Sequence, residues 1–458
     1  MTDLAARANE PTDVALDKRA EARIQRRVVL PLAVFFVAAN FLNAIDRSNI
    51  SFAAVHMDHD LGFSAQIFGI GVGWFFVSYM MFQFPAVWLS RWLGEPKSIG
   101  FIMLSWACAA IAMSLVRDRY SFYGLRFLLG LTEAGATPVM LSYASRWVPQ
   151  SAQGAFLKIS SMSWPLSAVF GAPTASLLMT HTAGFAGLAG WRWLFIAEGL
   201  PTIGLGVLAL WWLLDDPAQA RGLTEQERAW YIARLESDRA RARALAEAAQ
   251  AGAPDNLFKD RRLWLLAVAY FGEIAGLYGC IFWLPQVIDR LSSTIGPDRA
   301  VLLTMVPFAF GTLALLANAA SSDRRQERSW HTALGFLTGA VGLATAGLVV
   351  NPWLGFVALT VGISGLCAGL GLFWSFPTGF FRGSRQAAAG FTIINLVGNL
   401  AGVSIPPVIG AMRVATGSFG GGLILLGALL LVTAILIRLV GEPGGAAKAA
   451  AVGRTLTP

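Results

Sequence analysis

The segment Arg126-Phe-Leu-Leu-Gly-Leu-Thr-Glu133 places an arginine and a glutamate inside a long apolar stretch. Seven positions are two turns of an α-helix, so both side chains are expected on one face, about 10 Å apart along the axis. A charge at the centre of a membrane-spanning helix costs about 3 kcal/mol on insertion scales, and persists mainly where it pairs or lines a polar cavity. A second pair, Asp46-Arg47, lies in the first apolar segment. These four residues are the predicted functional centre.

The composition is typical of a membrane protein with many helices. Of the 458 residues, 55% are hydrophobic and only 14% are charged, and apolar stretches of about 20 residues recur along the chain. The net charge of +8 comes from short basic clusters between these stretches. That distribution is the positive-inside pattern and not a nucleic-acid-binding surface. The three cysteines have no metal-ligand spacing. We therefore expect no metal, no cofactor other than protons as coupling ions, and no nucleic-acid partner.

Twelve apolar segments predict an all-α integral membrane fold of twelve transmembrane helices. Their approximate bounds are 28–54, 67–90, 98–116, 121–146, 154–180, 190–214, 262–288, 299–320, 329–349, 353–380, 386–411 and 417–440. An even number of spans puts both termini on one side of the membrane, and the basic run before the first span predicts that this side is the cytoplasm.

The longest internal polar stretch, 215–261, divides the chain into two six-helix halves, 28–214 and 262–440. It is predicted to be a cytoplasmic loop with an amphipathic helix over 223–249, capped by Thr224. Residues 1–27 and 441–458 are predicted cytoplasmic tails. Two similar helical halves are typical of transporters whose ligand site lies between the halves, near the middle of the bilayer.

Several segments resemble the signatures of one transporter family, the anion:cation symporters of the major facilitator superfamily. They are Phe41–Ile50 (FLNAIDRSNI), Phe122–Gly135 (FYGLRFLLGLTEAG), Gly190–Pro201 (GWRWLFIAEGLP), Tyr278–Gln286 (YGCIFWLPQ), and the loop with Ser322, Asp323, Arg324, Arg325, Glu327, Arg328 and His331. The resemblance runs from about residue 28 to 440. The family includes bacterial permeases for tartrate, phthalate, galactonate and hexuronates.

This resemblance implies the major facilitator fold and proton-coupled uptake of a small organic anion. It also implies a bacterial inner-membrane location and a monomer in the bilayer. A cytoplasmic gate is expected at Arg91, Asp323 and Arg324, although Glu95-Pro96 replaces the family's usual paired basic cluster and leaves this gate contact open. Gly171-Ala-Pro173 only partly resembles an antiporter motif, which weighs against export.

The four charged residues can perform complementary tasks. Arg47 and Arg126 offer planar donor forks that fit a carboxylate, so they are candidates for holding the substrate. Asp46 and Glu133 are candidate proton carriers, because an acid that exchanges its arginine for a proton would couple proton and anion binding. An alternative stays open, in which two salt bridges simply join helices one and four. Arg47 also remains a candidate for the outer gate.

Further residues are candidates for the cavity wall, each with packing or helix–helix contact as the alternative: Tyr79, Trp164, Tyr278, Trp374, Asn395 and Asn399. Ser375 and Thr378 lie close to Trp374 in sequence and favour it. Asn395 and Asn399 are four apart and share a helix face. Glu273 is a possible extra acid within the seventh span that no family motif supplies, whereas Glu198 is expected to be structural.

The sequence therefore favours a secondary transporter over an enzyme. Its four histidines all lie near span ends, and no GxxxxGK[ST] phosphate loop is present. Export or antiport of organic anions, and a sensor built on a transporter fold, remain the alternatives to uptake. The substrate is expected to be a sugar acid, a tartrate-like acid or an aromatic acid.

Overall fold

The computed structural model describes residues 18–161, 163–250, 257–291, 296–381 and 387–442. In these residues the protein consists of α-helices joined by short turns, without β-strands. The helices are α1 (Lys18–Leu61), α2 (Ala65–Leu93), α3 (Glu95–Ala112), α4 (Arg119–Glu133), α5 (Ala136–Trp147), α6 (Gln150–Ser161), α7 (Ser163–Thr182), α8 (Gly190–Trp212), α9 (Glu225–Gln250), α10 (Arg261–Leu291), α11 (Pro297–Leu303), α12 (Met305–Arg325), α13 (Ser329–Leu348), α14 (Pro352–Phe373), α15 (Ser375–Phe380), α16 (Ala387–Thr416) and α17 (Gly420–Val440).

The described residues contain ten helical segments that are long and apolar enough to cross a membrane. The predicted fourth span is divided into two shorter helices, α4 and α5, and the predicted fifth span contains α6 and α7, which lie on either side of residue 162, outside the described residues. With the ten segments they account for the twelve predicted spans. In the fourth span the first helix, α4, ends at Glu133, so the segment from Arg126 to Glu133 forms its C-terminal part.

The first helix begins earlier than predicted. In the described residues helix α1 already runs from Lys18, inside the stretch that was predicted to be a cytoplasmic tail. Arg23 and Arg27 lie 3.6 and 3.5 Å from the carboxylate oxygens of Glu227, near the start of α9. Through these contacts the N-terminal part of α1 packs near α9, outside the membrane-spanning segments. The hydropathy of the tail does not predict this packing.

Helix α9, the predicted amphipathic helix, packs on the first half. Its N-terminus is closed by a capping box, in which the Thr224 backbone N–H donates to Glu227 and the Glu227 N–H donates to Thr224 Oγ1. Tyr231 Oη donates to the Trp147 carbonyl at 2.5 Å, and Asp238 accepts from the Gln150 N–H at 2.8 Å. The helix therefore closes the turn between α5 and α6.

The two halves meet through three sets of helices. Helix α2 packs on α16, α1 packs on α10, and α7 packs on α11 and α12. We call the end of the bundle with the turn between α1 and α2 the α1–α2 end. At this end His56 Nε2 lies 3.1 Å from Asp298 Oδ1, and Ser176 Oγ donates to the Asp298 carbonyl.

Helices α2 and α16 approach each other closely at the α1–α2 end. A Cβ atom on Gly69 would lie 2.3 Å from the Pro406 carbonyl oxygen, and one on Gly410 would lie 2.4 Å from the Ala65 carbonyl oxygen. Only glycine fits at such distances, so backbone lies against backbone across the two halves. The halves are consequently closed against each other at this end.

Candidate functional site

An ion pair between α1 and α4 forms the centre of the site. Arg47 Nε and Nη2 both lie 2.6 Å from Glu133 Oε1, and Asn43 Nδ2 donates to the same oxygen at 2.8 Å. Asn43 and Arg47 share a face of α1 because they are four residues apart. Glu133 is completely buried, and its second oxygen, Oε2, has no hydrogen-bond partner in the described part of the chain. Within the described residues, Oε1 thus accepts two hydrogen bonds and a further contact from Arg47 Nη2, while Oε2 accepts none.

Aromatic rings of α2 lie beneath the guanidinium groups. Arg47 lies over Tyr79, 4.8 Å from the ring centroid, and over Phe75 at 5.6 Å. The Arg126 guanidinium lies 4.8 Å from the centroid of the same Phe75 ring. A cation over an aromatic face is attracted by the ring quadrupole. Phe75 therefore stabilises both arginines and joins them into one cluster.

Arg126 interacts with Glu133 electrostatically but forms no direct ion pair among the described residues. Its side chain is only 1% exposed, and its Nε donates a long hydrogen bond of 3.4 Å to the Gly71 carbonyl. Among the described residues no carboxylate lies within 4 Å of Arg126, because Glu133 pairs with Arg47. Two cations accompany one acid at the ion pair. A buried charge without a partner is costly, so the cluster should attract an anion.

Asp46 faces a different direction from Arg47. Consecutive helical residues point about 100° apart, and Asp46 Oδ2 accepts a hydrogen bond of 2.6 Å from Trp106 Nε1 of α3. Glu198 of α8 is close enough to Asp46 to interact with it electrostatically. Both Glu198 oxygens are buried without a hydrogen-bond partner in the described chain. The structure thus places Asp46 with Trp106 and Glu198 inside the first half, and near enough to Glu133 to interact with it electrostatically.

A cavity of about 340 Å³ lies between the halves and is called here the central cavity. Helix α1 contributes Arg47 to its wall, and α10 contributes Tyr278 and Glu273. Trp374, between α14 and α15, completes the wall from the second half. Four of the predicted site residues therefore line one space. Tyr270, which sequence reasoning did not select, lies beside them, and its ring packs on Trp374 with centroids 5.1 Å apart.

Other predicted residues lie outside this wall. Asn399 Nδ2 donates to Asn395 Oδ1 at 2.7 Å and to the Asn395 carbonyl at 2.9 Å, so the two amides bond to each other along α16. Arg126 lies against Phe75, away from the cavity lining. Tyr79 does not line the cavity, but its ring contacts the guanidinium group of Arg47, which does. Trp164 belongs to α7, but its side chain is outside the described residues.

The hydroxyls near Trp374 have local partners. Ser375 Oγ donates to the Leu372 carbonyl, and Thr378 Oγ1 donates to the Trp374 carbonyl. Both side chains therefore bond to the backbone of their own helical turn. Of these three residues, Trp374 lines the central cavity, and it does so with its aromatic ring.

Among the described residues, the predicted cytoplasmic gate residues form no ion pair between the two halves. Arg91 is exposed in the last turn of α2, and Arg324 is exposed at the end of α12. Asp323 forms an ion pair with Arg328 in its own loop. Glu95, the departure from the family pattern, lies 2.7 Å from Arg146 and accepts from Ser142 Oγ at 2.5 Å. In the described chain the ion pairs of Asp323 and Glu95 each stay within one half.

A second space lies at the α1–α2 end. It has a volume of about 800 Å³, and its wall includes charged and histidine side chains of α1, α10 and α16, among them His56, Asp58, His59, Asp60, Asp289 and Arg413. Within the described residues, no group of three or more His, Cys, Asp or Glu side chains is arranged to hold a metal ion.

Sequence reasoning missed residues that support the charged ones. Asn43 binds Glu133, Phe75 underlies both arginines and Trp106 binds Asp46. A signal existed for two of them, because Asn43 precedes Arg47 by four positions and Phe75 precedes Tyr79 by four. Trp106 carries no comparable signal, since it lies on another helix from its partner.

Comparison with known proteins gives a consistent result. The Major Facilitator Superfamily matches residues 36–406. A "Putative tartrate transporter" of Agrobacterium vitis is 38% identical over 422 residues, which are 92% of each chain. A "Quinolone resistance transporter" of Acinetobacter baumannii is 33% identical, covering 92% of this chain and 95% of the relative. The inner membrane transport protein RhmT of Escherichia coli is 33% identical, covering 89% and 92%.

Solved structures agree in fold. The inward open conformation of the xylose transporter XylE from E. coli has a TM-score of 0.71 at 12% identity, covering 90% of this chain and 97% of that one. A bacterial homologue of the human lysosomal transporter Spinster has a TM-score of 0.68 at 16% identity, covering 93% and 97%. The predicted fold and the predicted family resemblance are confirmed. The chain belongs to the Major Facilitator Superfamily and is a multi-pass membrane transporter with that fold.

Proposed function

We propose that this transporter takes up a small organic carboxylate together with protons, by alternating access between its two halves. The Arg47–Glu133 pair at the edge of the central cavity carries the proposal. Arg47 lines the cavity and keeps 10% of its side chain exposed, and its donor fork fits a carboxylate. The name "Putative tartrate transporter" of two relatives supports an organic acid as substrate.

In this mechanism the substrate and Glu133 compete for Arg47. Protonation of Glu133 removes its charge and releases the guanidinium, which then binds the substrate carboxylate. Oε2 is the natural site for the proton, because Oε1 already accepts from Arg47 and Asn43. After the substrate leaves, Arg47 returns to Glu133 and displaces the proton. The coupling is reciprocal, so a bound substrate favours the proton as much as the proton favours the substrate.

The charge balance explains why protons would be used. Moving one elementary charge against about 100 mV costs roughly 2.3 kcal/mol, so the entry of a monoanion into a cell with a negative interior is opposed by that amount. One proton on Glu133 cancels that charge. A second proton on Asp46 would make the cycle electrogenic and inward-driven. Asp46 lies one residue from Arg47, so it can sense the same rearrangement of α1.

The remaining parts of the proposal follow from the family and the charge pattern. The protein acts as a monomer in a bacterial inner membrane with both termini in the cytoplasm. Its partners are the organic anion and the lipid bilayer. Protons are its coupling ions, and neither a cofactor nor catalysis is required.

The test is uptake by proteoliposomes that contain the purified protein. A panel of labelled tartrate, sugar acids and aromatic acids is offered with an imposed inward proton gradient. We expect gradient-driven accumulation, lost in Glu133→Gln while counterflow exchange survives. Glu225→Gln, on the first turn of α9, serves as the control and should accumulate like the native protein. Unchanged accumulation in Glu133→Gln would remove Glu133 from the coupling mechanism.

Export or antiport is the second candidate. The relative named "Quinolone resistance transporter" is the observation that favours it. The same vesicles separate the two directions. Uptake that requires an outward gradient of protons, or a second anion trapped inside, would support antiport over symport.

A further inference from the structure

The central cavity has one charged side chain on each half of the protein, and we call these two side chains its poles. Arg47 of α1 supplies a cation, and Glu273 of α10 supplies an acid. The two sides therefore present opposite formal charges to whatever occupies the space. A simple anion would use only the first pole.

Glu273 has no ion-pair partner among the described residues. Its side chain is 1% exposed, and in the same described part of the chain Oε2 has no hydrogen-bond partner. In the part of the chain that the structure describes, no arginine, lysine or histidine lies within 4 Å of it. Carboxylates buried without a cation or donor are costly, and most buried charges in proteins are paired. An unpaired acid in a ligand cavity points to a donor that the ligand brings.

The wall between the two poles is largely apolar. Its residues include Phe52, Leu277, Ile281, Phe308, Leu315 and Trp374. The hydroxyl residues Ser48, Ser167, Thr304 and Thr312 are the minority. A cavity of about 340 Å³ is at the small end of ligand sites in proteins, which suits an acid of about one ring. A fully hydroxylated acid such as tartrate would leave its hydroxyls against apolar walls.

Resting on the proposed carboxylate transport, we propose that the substrate is an amphoteric organic acid. Its carboxylate binds Arg47, an aromatic or aliphatic body contacts the apolar wall, and a protonated basic nitrogen binds Glu273. Glu273 is then a specificity-determining residue. Such a zwitterion carries no net charge, so the protons taken up with it would drive its accumulation.

The experiment measures binding to the purified transporter by titration calorimetry, with ligand pairs of equal shape. One pair is 4-(aminomethyl)benzoate and 4-ethylbenzoate, and the other is 5-aminopentanoate and hexanoate. Each pair exchanges an ammonium for a methyl group. We expect the amine to bind roughly tenfold more tightly in at least one pair, as for a charge-assisted hydrogen bond.

Glu273→Gln should lose this preference and bind the methyl ligand as well as the native protein does. The matched control is Glu198→Gln, which removes another buried acid, one that does not line the cavity, and it should keep the preference. Thermal melting of each variant checks that it is folded.

The outcomes separate the two proposals. Carboxylates that bind without any preference for the amine would overturn the amphoteric substrate and leave carboxylate transport standing. A preference that persists in Glu273→Gln would overturn the role of Glu273. Failure of every carboxylate, including the uptake panel, would overturn the proposed function itself.

Discussion

The hydrogen bonds of Glu133 leave it able to exchange its arginine partner for a proton. One of its oxygens accepts from Arg47 and Asn43, and the other is buried without a partner in the described chain. Because Arg47 faces both Glu133 and the central cavity, a small rotation of its guanidinium would transfer it from one carboxylate to another.

Arg47→Lys tests this reliance on a planar fork. Lysine keeps the charge but cannot make two parallel hydrogen bonds to a carboxylate. We expect the Kd of the transported acid to rise about 10- to 100-fold, corresponding to roughly 1.5–3 kcal/mol for a charged hydrogen bond. Titration calorimetry measures the change. Arg221→Lys, in the loop before α9, is the control, and an unchanged Kd in Arg47→Lys would contradict the assignment.

The sequence allowed the charged residues to be found, but not their partners. Asn395 and Asn399 share a helix face as their spacing of four indicated, but they bond to each other, which was not predicted. Arg126 and Glu133 were expected to act together on one helix face, yet Glu133 pairs with Arg47 from α1, and Arg126 packs on Phe75. Helical periodicity fixes neighbours along one helix. Contacts between helices depend on how the helices pack, which spacing does not encode.

The sequence predicted where helix α9 begins and ends better than it predicted what the helix packs against. The Thr224 cap and the charged stretch after it predicted α9 closely, because capping and amphipathicity are local. Its docking on the turn between α5 and α6 was not predictable, since Tyr231 bonds to a carbonyl 84 positions away. The early start of α1 has the same origin, in the contacts of Arg23 and Arg27 with Glu227.

The docking of α9 should depend on pH through Glu227. The Thr224 backbone N–H donates to this carboxylate and, with help from Arg27 and Arg23, holds the pKa of Glu227 below its ordinary value. A lowered pKa in the folded state means that the charged form stabilises the docked helix. This stabilisation is present above the unfolded pKa of about 4.3 and is lost as the pH falls through the lower, folded pKa.

Hydrogen exchange can measure this effect. Protection factors of the first turn of α9 should hold from pH 7 to about pH 5 and fall below about pH 4. Glu227→Gln should weaken protection at neutral pH and flatten the pH dependence. Glu236→Gln, exposed on the same helix, is the control. A native pH profile in Glu227→Gln would contradict this assignment.

The two halves close on each other at the α1–α2 end through Gly69, Gly410 and the prolines of α16. Gly69→Val should prevent this closure, because its Cβ would overlap the Pro406 carbonyl. We expect the population to shift to a form that is open at this end, with transport reduced tenfold or more, on the order of 1.4 kcal/mol of lost closed state. Gly204→Val, in α8, is the control, since its added atoms meet open space.

Spin labels report the shift. With the three native cysteines replaced by serine, cysteines introduced at His59 and Val414 lie on opposite halves at this end. The distance between the labels should lengthen in Gly69→Val and stay native in Gly204→Val. A native distance in Gly69→Val would contradict the prediction. It would mean that α2 and α16 accommodate the valine without opening the α1–α2 end.

The contact between α2 and α16 also bears on how the transporter responds to its surroundings. Neutral backbone atoms form it, and the His56–Asp298 contact beside it is partly exposed. Exposed ion pairs contribute about 0–1 kcal/mol, and dissolved salt screens them over about 10 Å. We therefore expect the α2–α16 contact itself to hold equally well from low to high salt. Any change of the label distance with ionic strength would then come from the charged side chains of the second space, Asp58, Asp60, Asp289 and Arg413. A cell facing dilute or brackish water would keep this backbone contact.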